Sequence, residues 1–438
     1  MKIIFNASPY AFHTPGGGEI QLLQYKKLLS EMGIEIELLN QWDPNFYSAD
    51  IVHSFSCQPD LLHFCAFVKE IELPLIVFPN LWIKEETKHL YGFDEIRMQF
   101  CLADRIVVNS EMEADLLART FNIPGEKFFP VYNGVEEIFF EHVDPSIFRK
   151  HFDIQGPFLL NVANLEPRKN QLKMAEVIKQ FPDMKLLLIG HERDIEYARQ
   201  CYALGGEQVR YCGPIPHDSV LLRSAYAACE AFVLPSKLET PGLAALEAMA
   251  AGAKVIVTYE GSTMEYFGEG AVYVDPDDSD DIAKGISKAL LEEKTLFPSF
   301  YMRANFTWHH VIQDLVCLYK NIDFEGSKRT TRFIGFNKME KDFAWTKEQL
   351  VFKIPRGTIS FLWHSLKGTE VDIYTNGVLA NTIFVGTEWQ FFEWRNLEKN
   401  GKEVIEIRLE VKEAVKGWGG DPRVLGVAIR DIEWMSPK

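Results

Sequence analysis

The chain has 438 residues, 47% of them hydrophobic and 25% charged, and a formal net charge of −16. That length supplies core for two or three domains, and the composition is that of a soluble globular protein. The acidic balance argues against nucleic acid as the main partner, since phosphate binding needs concentrated Lys and Arg. It gives no reason to expect a strongly membrane-attracted surface, while a local basic patch on one domain stays open.

The opening MKIIFNASPY has neither the basic start nor the long apolar run of a secretory leader, and no apolar run is long enough to span a bilayer. Seven cysteines are scattered without a Cys-x-x-Cys pair. That pattern fits reduced thiols in a cytoplasmic protein better than a disulfide frame or a zinc site.

In the first half, short apolar runs alternate with helical stretches. KIIF (2–5), IEIELL (34–39), DIVHSF (50–55), PLIVF (74–78), RIVV (105–108) and FFPVY (128–132) read as strands. Several are nearly continuously apolar, as strands buried on both faces should be, and the alternation predicts a doubly wound parallel sheet. After the first strand comes SPYAFHTPGGGEIQLL (8–23), where Gly16, Gly17 and Gly18 would let a loop approach a phosphate or sugar closely. It is not the Gly-x-Gly-x-x-Gly fingerprint, and a flexible connector is the plainer reading of glycines alone.

The pattern restarts at about Gly156 with FLLNVAN, MKLLLIG, VRYCG, AFVLPS, AKVIVT and AVYVD. Two such sheets leave a cleft between them, and ligands bind outside the carboxyl ends of the strands. In NVANLEPRKNQ (161–171), Arg168 and Lys169 follow the first strand of this half. Two adjacent cations there can neutralise a diphosphate, the Arg in bidentate fashion. Taken alone they also read as an exposed basic turn.

PSKLETPGLAALEAMAAGAKVIV (235–257) carries Glu239 and Glu247 eight residues apart. Pro241 and Gly242 can open a helix after the buried strand AFVLPS, and Gly252 is a natural stop. Amides near Gly242 and Leu243 have no partner within the helix and form an anion site. Glu247 lies further in, among small apolar residues that offer it nothing, so it should have donors, and a ribose diol would supply two. Glu239 precedes the helix, where a sugar attached to that phosphate would sit. A lone helical Glu more often faces solvent or a Lys. That reading gives way here because the strand, the Pro-Gly opening, both glutamates and AMAAGAKVIV occur together. The acidic run DPDDSDD (275–281) reads as a loop with helix-capping acids rather than a metal site.

After the helical stretch WHHVIQDLVCLYKNI (308–322) the composition changes. DFEGSKRTTR (323–332) reads as a linker and 333–438 as an antiparallel β-sandwich. VIEIRLEV (404–411) alternates apolar and charged residues, and Asn376-Gly377 between two strand-like runs is a hairpin signal.

Together these motifs resemble the retaining, nucleotide-sugar-dependent glycosyltransferases of the GT-B fold, the group 1 or family 4 type, over about residues 1–322. The most specific part is PSKLETPGLAALEAMAAGAKVIVT, with its two glutamates. EPRKNQ, LLLIG, VYNGVEE, GSTMEYF and the glycine-rich loop support it. The resemblance implies two doubly wound Rossmann-like domains facing a cleft. Residues 1–151 would form the acceptor domain and 152–322 the nucleotide-sugar donor domain with a closing helix. The linker and the sandwich follow.

By that resemblance Glu247 holds the donor ribose and Glu239 contacts the donor sugar. The amides of Gly242 and Leu243 meet the diphosphate, and Arg168 and Lys169 stabilise the leaving nucleoside diphosphate. Asn133 and Gly134 belong to the interdomain edge of the cleft, and Gly17 and Gly18 lie near the reacting centre. Asn164 stands where many members have an Arg, and Asn80 stands nearest to where many have a His. His53 is a further cleft-edge candidate, or a His satisfied within the sheet end. No cofactor, metal or enzymic nucleophile is implied. The expected activity is sugar transfer from a nucleoside-diphosphate sugar to a glycan or lipid-linked acceptor, with retention, in surface polysaccharide synthesis. Peripheral association with the inner face of the membrane or with assembly proteins goes with it. Asn164 and Asn80 keep a second reading open: a catalytically weak GT-B protein that binds glycan or scaffolds an assembly complex. The tail GDPRVLGVAIRDIEW (420–434) resembles the last strands of galactose-binding-like sandwiches. Six of the nine tryptophans lie in the tail, where core packing is the default and a glycan or protein partner the functional hypothesis.

Overall fold

The computed structural model describes residues 1–8, 11–13, 16–46, 49–295, 297–322, 332–336, 344–355, 357–396, 404–416 and 424–435. Parts of the glycine-rich stretch, almost all of the expected linker 323–332, and Trp418 lie outside the described residues.

Six parallel strands form the first sheet: β1 (Lys2–Asn6), β2 (Glu35–Leu38), β3 (Ile51–Phe55), β4 (Leu75–Phe78), β5 (Arg105–Val108) and β6 (Phe128–Pro130). Their order is β2-β1-β3-β4-β5-β6. The second sheet holds β7 (Phe158–Val162), β8 (Lys185–Ile189), β9 (Val209–Tyr211), β10 (Ala231–Leu234), β11 (Val255–Thr258) and β12 (Ala271–Val274). Its order is β12-β11-β10-β7-β8-β9, again parallel throughout. In both, the strand order turns back beside the first strand of the half. That reversal opens a crevice at the carboxyl ends. The central strands are buried end to end, as in β3, β4 and β10. This is why they read as unbroken apolar runs rather than alternating ones.

The halves are tied by the helix Trp308–Asn321, which crosses back to the first sheet. Trp308 meets Tyr25 edge to face at 6.0 Å, and the Tyr319 hydroxyl lies 2.6 Å from His53 Nδ1. Gly134 is where this crossing is tightest. A Cβ there would lie 2.5 Å from the Trp308 amide nitrogen.

The helix Ser279–Leu291 starts from DPDDSDD: the Asp278 side chain accepts from the amides of Asp280 and Asp281. The acids cap a helix, as expected.

Beyond residue 331 the described chain is antiparallel. The long strand Ala344–Pro355 pairs with Val404–Val411 along one part and with Val427–Met435 along another, so one strand serves two sheet faces. Ile359, Phe361, Trp363, Ile373, Phe392, Ile407 and Leu409 close the core between them. The Asn376-Gly377 turn has positive φ at both residues (48° and 81°) and joins two paired strands. Positive φ at both central positions is what a tight hairpin matching the strand twist requires. Trp345 and Trp363 are buried in packing, and Trp389 and Trp394 are half-buried.

Candidate functional site

The helix Leu243–Ala250 follows β10 after a short loop. It begins one residue later than the Pro-Gly opening suggests. Gly242 caps it with φ +92°, a conformation costly for any side chain. A Cβ there would also lie 3.1 Å from Glu239 Oε2, so the glycine keeps the loop close to that carboxylate. Glu239 is nearly buried and its backbone bridges to Gly261. Lys169, from the turn after β7, donates to Glu239 Oε1 at 2.6 Å. Both side chains are largely shielded (14% and 5% exposed), which makes this a buried pair rather than a surface one.

Arg168 points elsewhere. Its guanidinium donates to the Leu238 carbonyl (3.3 Å) and to Glu166 Oε1 (3.2 Å), and it is half-exposed. Asn164 lies beneath the same turn, its carbonyl accepting from Gln171 Nε2 at 2.9 Å. Lys169 therefore joins Glu239, while Arg168 stands half-exposed at the rim of the site.

Glu247 is 7% exposed on an otherwise apolar helix. The donors it was expected to need are present, and side chains of the protein supply two of them. Tyr226 donates to Oε2 at 2.9 Å and His217 Nε2 lies 2.8 Å from Oε1. His217 Nδ1 in turn lies 3.2 Å from Glu136 Oε2. Burial acts to lower the His217 pKa, but its bonds to Glu136 and Glu247 outweigh this and raise it to about 10. Glu136 is held low by the same imidazole.

A cavity of about 530 Å³ opens between the halves, lined by Gly16–Gly18, Ser56, Gln58 and Asn80 from the first half. Arg193, after β8, comes across from the second half. The glycine loop faces the donor-side helix directly: a Cβ on Gly17 would lie 3.8 Å from Leu243 Cδ1. Gly18 is tighter, since a Cβ there would come within 2.8 Å of Asn80 Nδ2.

Asn80 lines this cavity with a left-handed backbone (φ +50°), and its Oδ1 accepts from Asn109 Nδ2 at 3.3 Å. Glu113 organises that edge from below, accepting from the Asn109 and Leu81 amides at 2.8 and 3.3 Å. Burial pushes Glu113 up to about 7 against those donors. Asn133 donates to Asn109 Oδ1 (2.7 Å) and, through its amide, to the Tyr266 hydroxyl (2.8 Å). Asn133 and Gly134 thus stand at the junction of the halves.

His53 is not at the cleft edge. It has no solvent exposure, stacks on Phe55 at 4.4 Å and is bonded to Tyr319. Burial drives its pKa down to about 3. The strand ends two residues later, and it is Phe55 and Ser56 that reach the cavity.

Arg193, His217, Tyr226 and Glu136 were not singled out by the sequence. Arg193 had the same signal as Arg168, a cation just after a strand. His217 and Tyr226 meet Glu247, and Glu136 meets His217, only through tertiary contact.

Two family models match the chain: glycosyl transferases group 1 over residues 144–297 and glycosyltransferase family 4 over residues 36–137. The serotype-specific mannosyltransferase WbdA of Escherichia coli is 28% identical over 212 residues, 44% of this chain and 25% of its own length. The O-antigen chain mannosyltransferase B of Escherichia coli is 25% identical over 236 residues, 50% of this chain and 61% of its own. The chain thus spans less than two thirds of the length of these relatives. Among solved structures, sucrose-phosphate synthase from Thermosynechococcus elongatus superposes with a TM-score of 0.64 at 19% identity, covering 75% of this chain and 100% of that one. Anabaena HepE, solved with UDP and glucose, gives 0.60 at 19% identity over 73% of this chain and 100% of its own. These likenesses establish the two-sheet GT-B arrangement.

Proposed function

Because the chain belongs to the group 1 and family 4 glycosyltransferases, we propose that it moves a sugar from a nucleoside-diphosphate sugar to a glycan or lipid-linked glycan acceptor, with retention of anomeric configuration. One observation carries this reading. Glu239, its partner Lys169 and the Gly242 cap gather at the start of the helix that carries Glu247, and that helix start meets the glycine loop of the other half, where a Cβ on Gly17 would lie 3.8 Å from Leu243 Cδ1.

In this reading the nucleotide lies against the second half. Glu247 takes the ribose, and the Gly242 and Leu243 amides meet the diphosphate where the helix leaves its first N–H groups unpaired. Lys169 and Arg168 offset the charge that grows on the departing diphosphate. Glu239 contacts the sugar while its Oε1 holds Lys169. The acceptor enters from the side of Gly17, Gly18 and Asn80. The activity is expected without a divalent metal, which transfer in EDTA checks. The O-antigen role of one relative's name makes surface polysaccharide the first acceptor class to assay. Peripheral membrane association belongs to the same proposal. Among the described residues no helix is long and apolar enough to cross a membrane.

The test is sugar transfer or donor hydrolysis with wild type, Glu239→Ala and the double Arg168→Ala, Lys169→Ala variant. Loss of about 10²-fold or more in kcat is expected for both. Proton NMR of the product reads the anomeric configuration. Activity unchanged in both variants would contradict the reading and leave a glycan-binding or scaffold protein in its place.

A further inference from the structure

Glu247 does not stand alone on its helix. Its two oxygens are held by two different side chains: Tyr226, from the helix Val220–Ala228, on Oε2, and His217, from the loop before that helix, on Oε1. A carboxylate has about four acceptor positions. Two donors fix its plane and leave the rest for a ligand. The imidazole is fixed in its turn. Nδ1 lies at ion-pair distance from Glu136, and Phe139 meets the ring edge to face at 5.2 Å. Glu136 belongs to the segment that passes from one half to the other, and its second oxygen accepts from Gln24 Nε2 at 2.9 Å. Gln24 lies on the helix Gly17–Glu31, which starts at the glycine loop. One unbroken chain of polar contacts therefore runs from the helix of that loop to the carboxylate of the donor side: Gln24, Glu136, His217, Glu247.

We propose that His217 is a positioning residue for Glu247: with Tyr226 it fixes the carboxylate toward the ribose diol, and it does so from a seat on Glu136 that the first half of the molecule holds through Gln24. The proposal rests on the ribose role given to Glu247 above. It adds that the orientation of the ribose site depends on the first half being in place. The charged and titratable groups around the imidazole are Glu136 and Glu247 in contact, Tyr226 beyond Glu247, and Lys27 acting on Glu136. The balance favours the imidazolium, so both ring nitrogens carry a proton at neutral pH, Nε2 bonded to Glu247 and Nδ1 at ion-pair distance from Glu136.

The experiment compares two probes by calorimetry: a nucleoside diphosphate that binds the wild type, and its 2′,3′-dideoxy form. The variants are Glu247→Ala, His217→Ala, His217→Gln and Glu136→Gln in the full chain. The wild type is expected to prefer the ribose form, and Glu247→Ala to lose that preference. His217→Ala should lose about tenfold in affinity for the ribose form and little for the dideoxy form. His217→Gln, which keeps an N–H near the Nε2 position, should recover most of it. A merely structural role would weaken both probes alike. Should His217→Ala not fold, Glu136→Gln carries the test, with a several-fold loss confined to the ribose form. A His217→Ala or Glu136→Gln protein with the wild-type ribose preference overturns the proposal while leaving the Glu247 reading intact. A Glu247→Ala protein with that preference overturns the Glu247 reading itself, and a wild type that binds no nucleoside diphosphate overturns both.

Discussion

Gly134 and Gly18 are set by what surrounds them. At Gly134 the obstacle is the backbone of Trp308, which has no rotamer to give. Gly134→Ala is expected to cost about 1–3 kcal/mol, seen as a lowered denaturation midpoint. At Gly18 the obstacle is the amide end of Asn80, which can turn away. Gly18→Ala should therefore leave stability nearly unchanged and disturb the cavity instead, raising KM for acceptor more than for donor. His217 has a signature in pH. Its folded pKa of about 10 lies above the ordinary 6.5, so folding takes up a proton between the two. The stability it contributes is complete below about pH 6.5 and is lost as pH rises through 10. Urea midpoints of wild type and His217→Gln should differ most at pH 6 and converge by pH 10. A gap that widened with pH would contradict the imidazolium. At this scale the sequence was least legible. Glu247 was recognisable because a carboxylate in an apolar helix must be satisfied somehow. What satisfies it, His217 and Tyr226, lies 30 and 21 residues earlier, with no spacing rule to announce it. His53 shows the opposite case. Its place in DIVHSF left open a cleft edge or a seat within the sheet end, and the burial of that strand with the crossing of Tyr319 puts it in the second.

Elements were far more legible, for a physical reason. Strands of a parallel sheet covered on both faces must be apolar throughout, and each of the twelve expected runs is a strand. Asn-Gly specified its turn because few dipeptides tolerate positive φ twice. The motif GSTMEYF matched by resemblance alone, and its work is visible only in the fold. The Glu265 carboxylate accepts from the Glu111 amide (2.8 Å) and the Met112 amide (2.9 Å), capping the helix Glu111–Phe121 from the other half of the molecule. The Tyr132 hydroxyl donates to the same carboxylate, and Tyr266 donates to the Asn109 carbonyl, both at 2.5 Å. A carboxylate at a helix start is worth about 1 kcal/mol. Here it also links the two sheets. Glu265→Ala is expected to speed hydrogen exchange at residues 111–113 without a comparable change in the helix Ser279–Leu291, whose cap is its own Asp278. Equal exchange at residues 111–113 in the wild type and Glu265→Ala would show that the tie carries no load.

At the scale of the molecule, two parallel sheets meet along the seam of Asn133, Tyr266 and Trp308, and the site is shared across it. This much followed from seeing the strand–helix pattern restart at Gly156. The antiparallel tail contributes none of the side chains described around Glu239, Glu247 or the cavity. Removing 333–438 should leave nucleotide affinity within about twofold of the full chain, and any effect should fall on acceptor KM. Unchanged acceptor use and assembly would remove the tail from glycan or partner binding. The most direct measurement is titration of the full chain with UDP, GDP, ADP and CMP in EDTA, repeated with Glu247→Ala. Tight binding of one diphosphate, weakened at least about tenfold by the substitution, is the expected result. No binding by a folded wild type, or binding indifferent to Glu247, would contradict a nucleotide-sugar site at the start of the helix Leu243–Ala250.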